Sequence, residues 1–346
     1  MGKRVTLKDI AEATNTTIPT VSAALNGTGR ISDARREEIA RIARDLNYQP
    51  HIGAQLLKSK DCSDIGLIVN ERMDAVGGSG LFQGLVTAFS TQCTSHEVRG
   101  QIEFVDCSID PESLRIPHIM SGGLVGGLLL TGAVDDRIWK WLRSHTDIPY
   151  VIVEEKGDFA VLTDMGYGIR QAVQYLAALG HRTIGLCTGP LKFPPHEQAR
   201  SCILQASQEY ALDINDEWLT EIQHISPRQE IQDGYEWAQT VFASRNYPTA
   251  IICNGMQHAR SVAWAAALAG LSLPRDLSIV ATGAEWEAEK SCPAFTSIEW
   301  DHEATMKEAL KLLKRRMENT IIADPVIRTV PRFTIRNTTG PCMQNL

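Results

Sequence analysis

Four sets of residues in this 346-residue sequence could do chemistry: the cysteines, the histidines, the paired glycines, and the hydroxyls and cations of the first sixty positions. The eight cysteines stand at 62, 93, 107, 187, 202, 253, 292 and 342, with no CxxC and no paired spacing. Structural zinc, iron–sulfur clusters and disulfide scaffolds all need such pairs, so buried, reduced thiols of a cytosolic chain are expected. His196-Glu197 and His302-Glu303 each start an HE pair, but no HExxH follows, and the nine histidines lack metal-ligand spacing. GGLVGG at 122–127 contains no GxGxxG that opens a helix, and GGSG at 77–80 runs into Leu81 and so misses GxSxG. No Walker A sequence occurs. No catalytic residue, metal ligand or cofactor is therefore expected, and the enzymatic reading has no constellation to rest on.

Phosphate binding is the chemistry that remains. The chain carries a net charge of −7, which taken whole discourages a nucleic-acid partner. The charge is unevenly placed. Residues 1–60 hold ten Lys/Arg against six Asp/Glu, a surplus of +4, while the rest hold 24 against 35, a deficit of −11. A basic head on an acidic body is the arrangement expected when only the head meets phosphate. At 43% hydrophobic and 22% charged the composition is globular, and the length allows two or three domains. No apolar run approaches ~18 residues and the start, MGKRVTLKDI, has no signal-peptide core, so a cytoplasmic chain with no membrane partner is expected.

The elements that must position the head's groups are three short helices. Thr6-Leu7-Lys8-Asp9 spells a capping box, and Leu7, Ile10, Ala11 and Ala13 form a one-sided stripe behind it. Asn15 falls where the chain must reverse, a place that tolerates asparagine in the left-handed region. Thr17 then caps a second helix with Pro19 in its first turn and Val21, Ala24 and Leu25 inward, ended by Asn26-Gly27. A third follows Ser32, with Ile39, Ile42, Ala43 and Leu46 at i, i+3, i+4 and i+7. A helix-turn-helix fits, its second helix lying in the major groove; so does a generic three-helix corner. Roughly 45 residues bury little, so such a head is marginally stable alone.

The stretch TLKDIAEATNTTIPTVSAALNG, followed by ISDARREEIARIARDLNYQP, resembles the DNA-binding head of the lactose-repressor (LacI/GalR) family of bacterial transcription regulators. The likeness continues more sparsely to about residue 335, through IGLIV, GGLLLTG, IPYVIV, TDMGYG, YLAALGHRTIGL, YPTAII, LPRDLSIV and FTSIEWD. Carried over residue by residue, it implies backbone-phosphate contacts from Thr6, Thr17, Thr20, Asn26 and Ser32, hydroxyl and amide groups suited to fixing register on a duplex. Ile18, Pro19 and Ser22, with Ala23 beside them, match the base-reading face. Many members carry Arg where Ala23 stands. Ile18, Pro19 and Ala23 offer no donor to a guanine edge and can meet only thymine methyls or exclude wrong bases.

Residues 49–61, QPHIGAQLLKSKD, connect head and body. Read alone they are a solvated connector. The resemblance implies a hinge helix that forms only on operator DNA and puts Leu57, between Ala54 and Lys58, into the minor groove. Such a wedge costs a few kcal/mol of unstacking, offset by the contacts bending allows. A helix of about eight residues is unstable in water, so it needs DNA and a partner hinge. A homodimer on a pseudo-palindromic double-stranded operator is implied.

Beyond residue 62, apolar runs at 65–69, 102–105, 128–130, 150–153, 184–187, 250–253 and 278–281 alternate with helical patterns near 81–92, 111–120, 135–144, 168–179, 198–210, 230–244 and 258–269. That alternation predicts two doubly wound parallel-sheet subdomains, which the resemblance makes periplasmic-binding-protein-like, with three chain crossings. The expected organisation is a helix-turn-helix domain at 1–48, a hinge at 49–61, and an effector-binding and dimerisation domain at 62–340. Its N-subdomain takes about 62–160 plus 295–320, and its C-subdomain about 161–294 plus 321–340.

Doubly wound sheets bind ligands at the carboxyl ends of their strands. The effector-binding residues expected there, each matching a family position, are Asn70, Thr131, Arg200, Asn254 and Trp300. Many members place Asn-Asp after the strand ending at Cys253 and a Phe-Asp or Tyr-Asp pair after the next; here Asn254-Gly255 and Thr282-Gly283 stand there. ERMDAVGGSG lacks the usual aromatic pair. With two carboxylates missing, a sugar, sugar acid or sugar phosphate fits, the anionic ones no longer repelled. The function implied is an effector-controlled operator-binding regulator, a repressor by preference, associated with the nucleoid when bound. A metabolite sensor whose head has lost DNA binding is the alternative, motivated by the apolar reading face.

Overall fold

The computed structural model describes residues 5–25, 29–46, 64–70, 80–105, 116–121, 123–132, 144, 148–223, 227–244 and 246–343. The chain divides into two units at Cys62/Ser63. Asn26, Ala54, Leu57, Lys58 and the hinge lie outside the described residues, as does the expected helix at 135–144 apart from Ser144.

The first unit contains α1 (Leu7–Ala13), α2 (Ile18–Leu25) and α3 (Asp33–Asp45). Thr6 starts α1 through a full capping box: its backbone N–H and hydroxyl both donate to Asp9 Oδ2 at 2.6 Å, and Asp9 N–H donates back to Thr6 Oγ1 at 3.4 Å. Asn15 takes φ +46°, and Thr16 N–H reaches back to the Ala11 carbonyl at 2.9 Å, which closes the turn. Thr20 N–H donates to Thr17 Oγ1 at 3.4 Å, so Thr17 caps α2. Ile10, Val21, Ala24, Ile39 and Ala43 form the core. Arg35 ties α3 to the turn, donating to the Thr14 carbonyl at 2.5 Å and to Glu38 at 2.6 Å. Two apolar positions differ from expectation. Ala13 and Leu46 are exposed, because each lies at the last turn of its helix, where the partner helices no longer reach.

The second unit holds two six-stranded sheets. The first comprises β1 (Ile65–Asn70), β2 (Gly100–Val105), β3 (Gly127–Thr131), β4 (Tyr150–Val153), β5 (Ala160–Thr163) and β11 (Val326–Thr329), in the order β11-β5-β4-β3-β1-β2, all parallel. The second comprises β6 (Ile184–Thr188), β7 (Leu219–Glu221), β8 (Ala250–Asn254), β9 (Ser278–Gly283), β10 (Thr296–Glu299) and β12 (Arg332–Thr334), in the order β12-β10-β9-β8-β6-β7. Only β12 runs antiparallel. The central strands β1, β3, β6, β8 and β9 are buried almost throughout, as strands covered on both faces must be.

Helices α4 (Gly80–Ser95) and α11 (His302–Met317) cover one face of the first sheet, and the short α5 (His118–Ser121) lies on the other. Helices α6 (Met165–Ala178) and α7 (Pro194–Glu209) cover one face of the second, and α8 (Pro227–Ala243) and α9 (Met256–Leu268) the other. Helix α10 (Glu285–Glu289) follows β9.

The chain crosses between the sheets three times, after β5, after β10 and after β11. The subdomain boundaries move accordingly. Strand β5 belongs to the first sheet, so the first segment runs past residue 160. Residues 296–299 belong to the second sheet and 326–329 to the first, each the reverse of the expected placement. The cause is pairing: β10 extends from β9 and β11 from β5 before the chain moves across, so each switch comes after the strand rather than before it. Among the described cysteines, 93, 187, 202, 253 and 342 are buried as expected, whereas Cys292 is exposed beside Pro293.

Candidate DNA-reading face and effector cleft

In the head, α2 begins with an exposed run. Thr17, Ile18 and Pro19 are exposed, Ile18 by 45%, while Thr20, Ser22 and Ala23 are half-buried. The hydroxyls of Thr17 and Thr20 lie 2.8 Å apart, one bonded to the other. An apolar pair thus projects between hydroxyls at the amino end of the helix, where backbone N–H groups and the helix dipole also favour phosphate. Ser32 precedes α3, and its hydroxyl makes no cap bond. The Thr6 hydroxyl is engaged by Asp9.

In the body, strand ends gather the polar groups. Asn70 ends β1 and Thr131 ends β3, neighbouring strands in which Val69 pairs with Thr131. Both are buried, and among the described residues neither Asn70 Oδ1, Asn70 Nδ2 nor Thr131 Oγ1 has a hydrogen-bond partner. Buried amides and hydroxyls are rarely left so, since each orphan costs ~1–3 kcal/mol. Gly132, at φ +81°, is what lets the chain turn here: a Cβ on it would fall 2.0 Å from the Asn70 carbonyl oxygen. Next along the sheet, Glu154 follows β4 at φ +63°, its carboxyl accepting from Thr163 Oγ1 at 2.6 Å and Thr163 N–H at 3.1 Å. Burial raises the Glu154 carboxyl above its ordinary range, and burial together with the Glu154 charge pushes Glu155 up to about 7.

The second sheet presents a satisfied network. Asn254 ends β8; its Oδ1 accepts from Thr282 Oγ1 at 2.8 Å, and its Nδ2 donates to the Pro195 carbonyl at 3.1 Å and His196 Nδ1 at 3.0 Å. Thr188 Oγ1 and Gly189 N–H also point at His196 Nδ1, at 3.1 and 3.3 Å. With donors converging on Nδ1, the imidazole proton belongs on Nε2. Burial holds His196 neutral, its pKa lowered to about 3. Arg200, one turn further along α7, is half-buried, and its guanidinium has no hydrogen-bond or ion-pair partner among the described residues. The exposed pair Lys156–Glu197, at 2.7 Å, joins the segment after β4 to the first turn of α7 and so spans from one half to the other.

Trp300 stands apart from these four. It follows β10, its ring 5.7 Å from that of His302, and it lines a cavity with α4 and α10 that none of Asn70, Thr131, Arg200 or Asn254 lines. Thr188, His196, Thr282 and Glu154 were not among the expected site residues. Thr188 and Thr282 were within reach of the strand-end rule, and Thr282 stands where the family's aromatic–acid pair is missing; His196 had no signal beyond following the Gly189-Pro190 loop. The strand ends thus present hydroxyl, amide and imidazole groups, and Arg200 nearby on α7 is without a partner among the described residues.

Residues 6–51 match the family model of bacterial regulatory proteins, lacI family, and residues 173–339 match that of the periplasmic binding protein-like domain. Among curated relatives, the HTH-type transcriptional repressor PurR of Proteus mirabilis (strain HI4320) is 25% identical over 344 residues, 96% of each chain. The PurR of Klebsiella pneumoniae (strain 342) is 26% identical over 339 residues, again 96% of each. Among solved structures, the lac repressor dimer bound to operator and the anti-inducer ONPF superposes with a TM-score of 0.81 at 20% identity, covering 98% of this chain and all of that one. A complex of the transcriptional regulator CelR with cellobiose gives 0.70 at 20% identity, covering 97% and 100%.

Proposed function

The chain belongs to the LacI family of bacterial regulatory proteins, and on that premise we propose that it is a cytoplasmic, homodimeric repressor whose operator affinity is set by a small molecule held at its strand ends. The observation that carries this reading is the exposed start of α2, Thr17 to Thr20, on a three-helix head whose first sixty residues carry a +4 charge surplus. The curated relatives are named as repressors, and the lac repressor was solved as an operator-bound dimer. Thr6, Thr17, Thr20, Asn26 and Ser32 hold the phosphates, Ile18, Pro19, Ser22 and Ala23 face the bases, and Leu57, flanked by Ala54 and Lys58, wedges the minor groove.

The effector lies against Asn70, Thr131 and Arg200, with the Asn254–His196–Thr282 network as its floor. The orphaned amide and hydroxyl supply donors and an acceptor, and Arg200 supplies a fork for a carboxylate, phosphate or hydroxyl pair. A sugar acid or sugar phosphate uses all of these. Effector binding changes how the two halves meet, parts the paired hinges and weakens the operator grip; a corepressor would use the same parts in the opposite sense. A swing from mostly bound to mostly free needs a differential affinity of about 10⁴, or ~5.5 kcal/mol.

The test is an electrophoretic shift with the DNA upstream of the protein's own gene at two salt concentrations. Binding should fall steeply with salt, and Leu57→Ala should weaken specific binding far more than non-specific binding. A chain that ignores every fragment at low salt while still binding a metabolite would instead be a sensor with a degenerate head, the reading that the apolar Ile18-Pro19 pair favours. Calorimetry should show Arg200→Ala losing an anionic effector by about tenfold or more. Tight binding of an uncharged sugar, with none to its phosphate or acid, would overturn the anionic assignment.

A further inference from the structure

One buried acid in the body has little in its own half to explain it. Glu287, in the five-residue α10, is 5% exposed, whereas Glu285, Trp286 and Glu289 on the same helix face solvent. Among the described residues its carboxylate accepts one long bond within that half, from Ala284 N–H to Oε2 at 3.4 Å. Burial raises the carboxyl above its ordinary range, against the pull of that N–H and of the Arg260 charge on α9. A carboxylate taken out of water is costly unless a favourable field meets it.

The first half supplies that field. Gly80, the first residue of α4, is buried, and a Cβ on it would fall 1.8 Å from Glu287 Oε2 and 2.5 Å from its Cδ. The Glu287 carboxyl therefore rests on the bare Gly80 Cα, beside the positive end of a 16-residue helix. The lack of a side chain at 80 is what permits so close an approach. Helix α4 packs on the first sheet and α10 follows β9 of the second, so the contact joins one half to the other. A displacement of the halves by little more than the width of an atom takes the carboxyl off Gly80. Such a contact is made in one disposition and lost in another, because packed surfaces do not deform continuously. The half that carries Gly80 is also the one the chain enters from the hinge segment, through β1.

We propose that Glu287 is a positioning residue of the operator switch: seated on Gly80, it selects one disposition of the two halves and, through it, the operator affinity of the full chain. The proposal rests on the repressor reading above for its second step, since the operator is what reports the disposition. Its first step, that the Glu287–Gly80 contact sets how the halves meet, stands on the contact alone.

In the full-length protein, the halves are followed by spin labels at Thr91→Cys on α4 and Gln239→Cys on α8, both exposed positions. Cys62, Cys107 and Cys292 are replaced by serine, and labelled chains are diluted with unlabelled ones so that distances within one chain are read. Glu287→Ala should move the mean distance by roughly 2 Å or more. It should also change affinity for the DNA upstream of the protein's own gene by about fivefold or more, the lower end of an ordinary coupling between sites, and leave non-specific DNA binding as it was. A merely structural role for Glu287 would not separate those two affinities. Gly80→Ala presses on the same contact from the other side and should move both readouts. In the Glu287→Ala background it should add nothing, because the atoms it collides with are gone. Glu289→Ala, exposed on the same helix, should change neither. A distance that stays put in Glu287→Ala, or a Gly80→Ala effect that persists without Glu287, would overturn the proposal. So would a moved distance that leaves operator affinity unaltered. A parent protein that ignores the upstream DNA at low salt overturns the repressor reading, and the operator step with it, while the distances still decide whether Glu287 sets the halves.

Discussion

Ile39→Ala should silence the head while leaving the body intact. Ile39 is fully buried at the centre of the three helices, against Ile10, Val21, Ala24 and Ala43. Truncating a buried isoleucine to alanine costs roughly 2–5 kcal/mol, and the loss is largest where the site cannot collapse. The head is small. At roughly 0.05–0.15 kcal/mol per residue, its forty or so described residues hold only about 2–6 kcal/mol of stability. The substitution therefore removes most of what there is; a 3 kcal/mol loss raises the unfolded head population by roughly 150-fold. DNA binds only the folded head and so masks the defect at saturation, which means affinity must be read at DNA concentrations below the dissociation constant. Calorimetry should show a low-temperature transition lost from the variant and the body transition unmoved. Ile321→Ala, at a position 92% exposed, serves as the control and should change neither. An Ile39→Ala protein that shifts the upstream DNA like the parent, with both transitions in place, would refute the assignment of these five residues as what holds the head together.

Three further outcomes follow from the body. His196 has a folded-state pKa of about 3 against 6.5 unfolded, so the unfolded chain takes up a proton that the folded one refuses; stability falls as pH drops from about 6.5 toward 3. By pH 4 the loss is about 3 kcal/mol, and His196→Gln should flatten that part of the pH–Tm curve. Glu155 shows the opposite sign. Raised to about 7, it favours the folded state most below its unfolded value near 4.5 and loses that advantage as pH rises through 7, so Glu155→Gln should raise the body's Tm at pH 8 and not at pH 5. Arg336→Met should destabilise the body by roughly 1.5–3 kcal/mol, because it takes from the buried Glu299 carboxylate the guanidinium held at 2.6 Å and leaves it only Arg332 and two hydroxyls. Adding Glu299→Met should recover most of that loss; a double variant as unstable as the single would show that the ion pair is not the cause.

The head was legible because its signals are local. A capping box, an asparagine at a reversal and a proline in a first turn each state a helix boundary within four residues, and all three stand in the structure. Strands β1, β2, β3, β4, β6, β8 and β9 were legible as apolar runs. What escaped was short or polar: AVLT, LTE, TSIE, VIRT and RFT become strands only because a neighbouring strand was there to pair with, which no window of three or four residues can announce. Helix α11 carries a clear pattern in Met306, Ala309, Leu312 and Leu313, yet the strand–helix alternation that reads the rest of the body passes over it, since no apolar run closes the unit after it. Strand-end reasoning picked out Asn70, Thr131 and Asn254, and all three are buried at the ends of their strands. It could not tell that Asn254 is already engaged while Asn70 is not, because that depends on His196 and Thr282 arriving from other elements. Trp300 was expected to touch effector by resemblance alone; it follows β10 and lines a cavity with residues of α4 and α10.

Each sheet is completed by a strand from the far end of the sequence, β11 for the first and β12 for the second, and α11 covers the first sheet only after residue 317. On the ribosome, then, neither half of the body can close until nearly the whole polypeptide has emerged, whereas the three head helices are available by residue 46. At roughly 5–20 residues per second the interval is about 15–60 s. Throughout it, a finished DNA-reading module hangs from a body whose apolar strands still lack their outermost partners. The nascent chain acquires its grip well before it acquires any means of being told to let go.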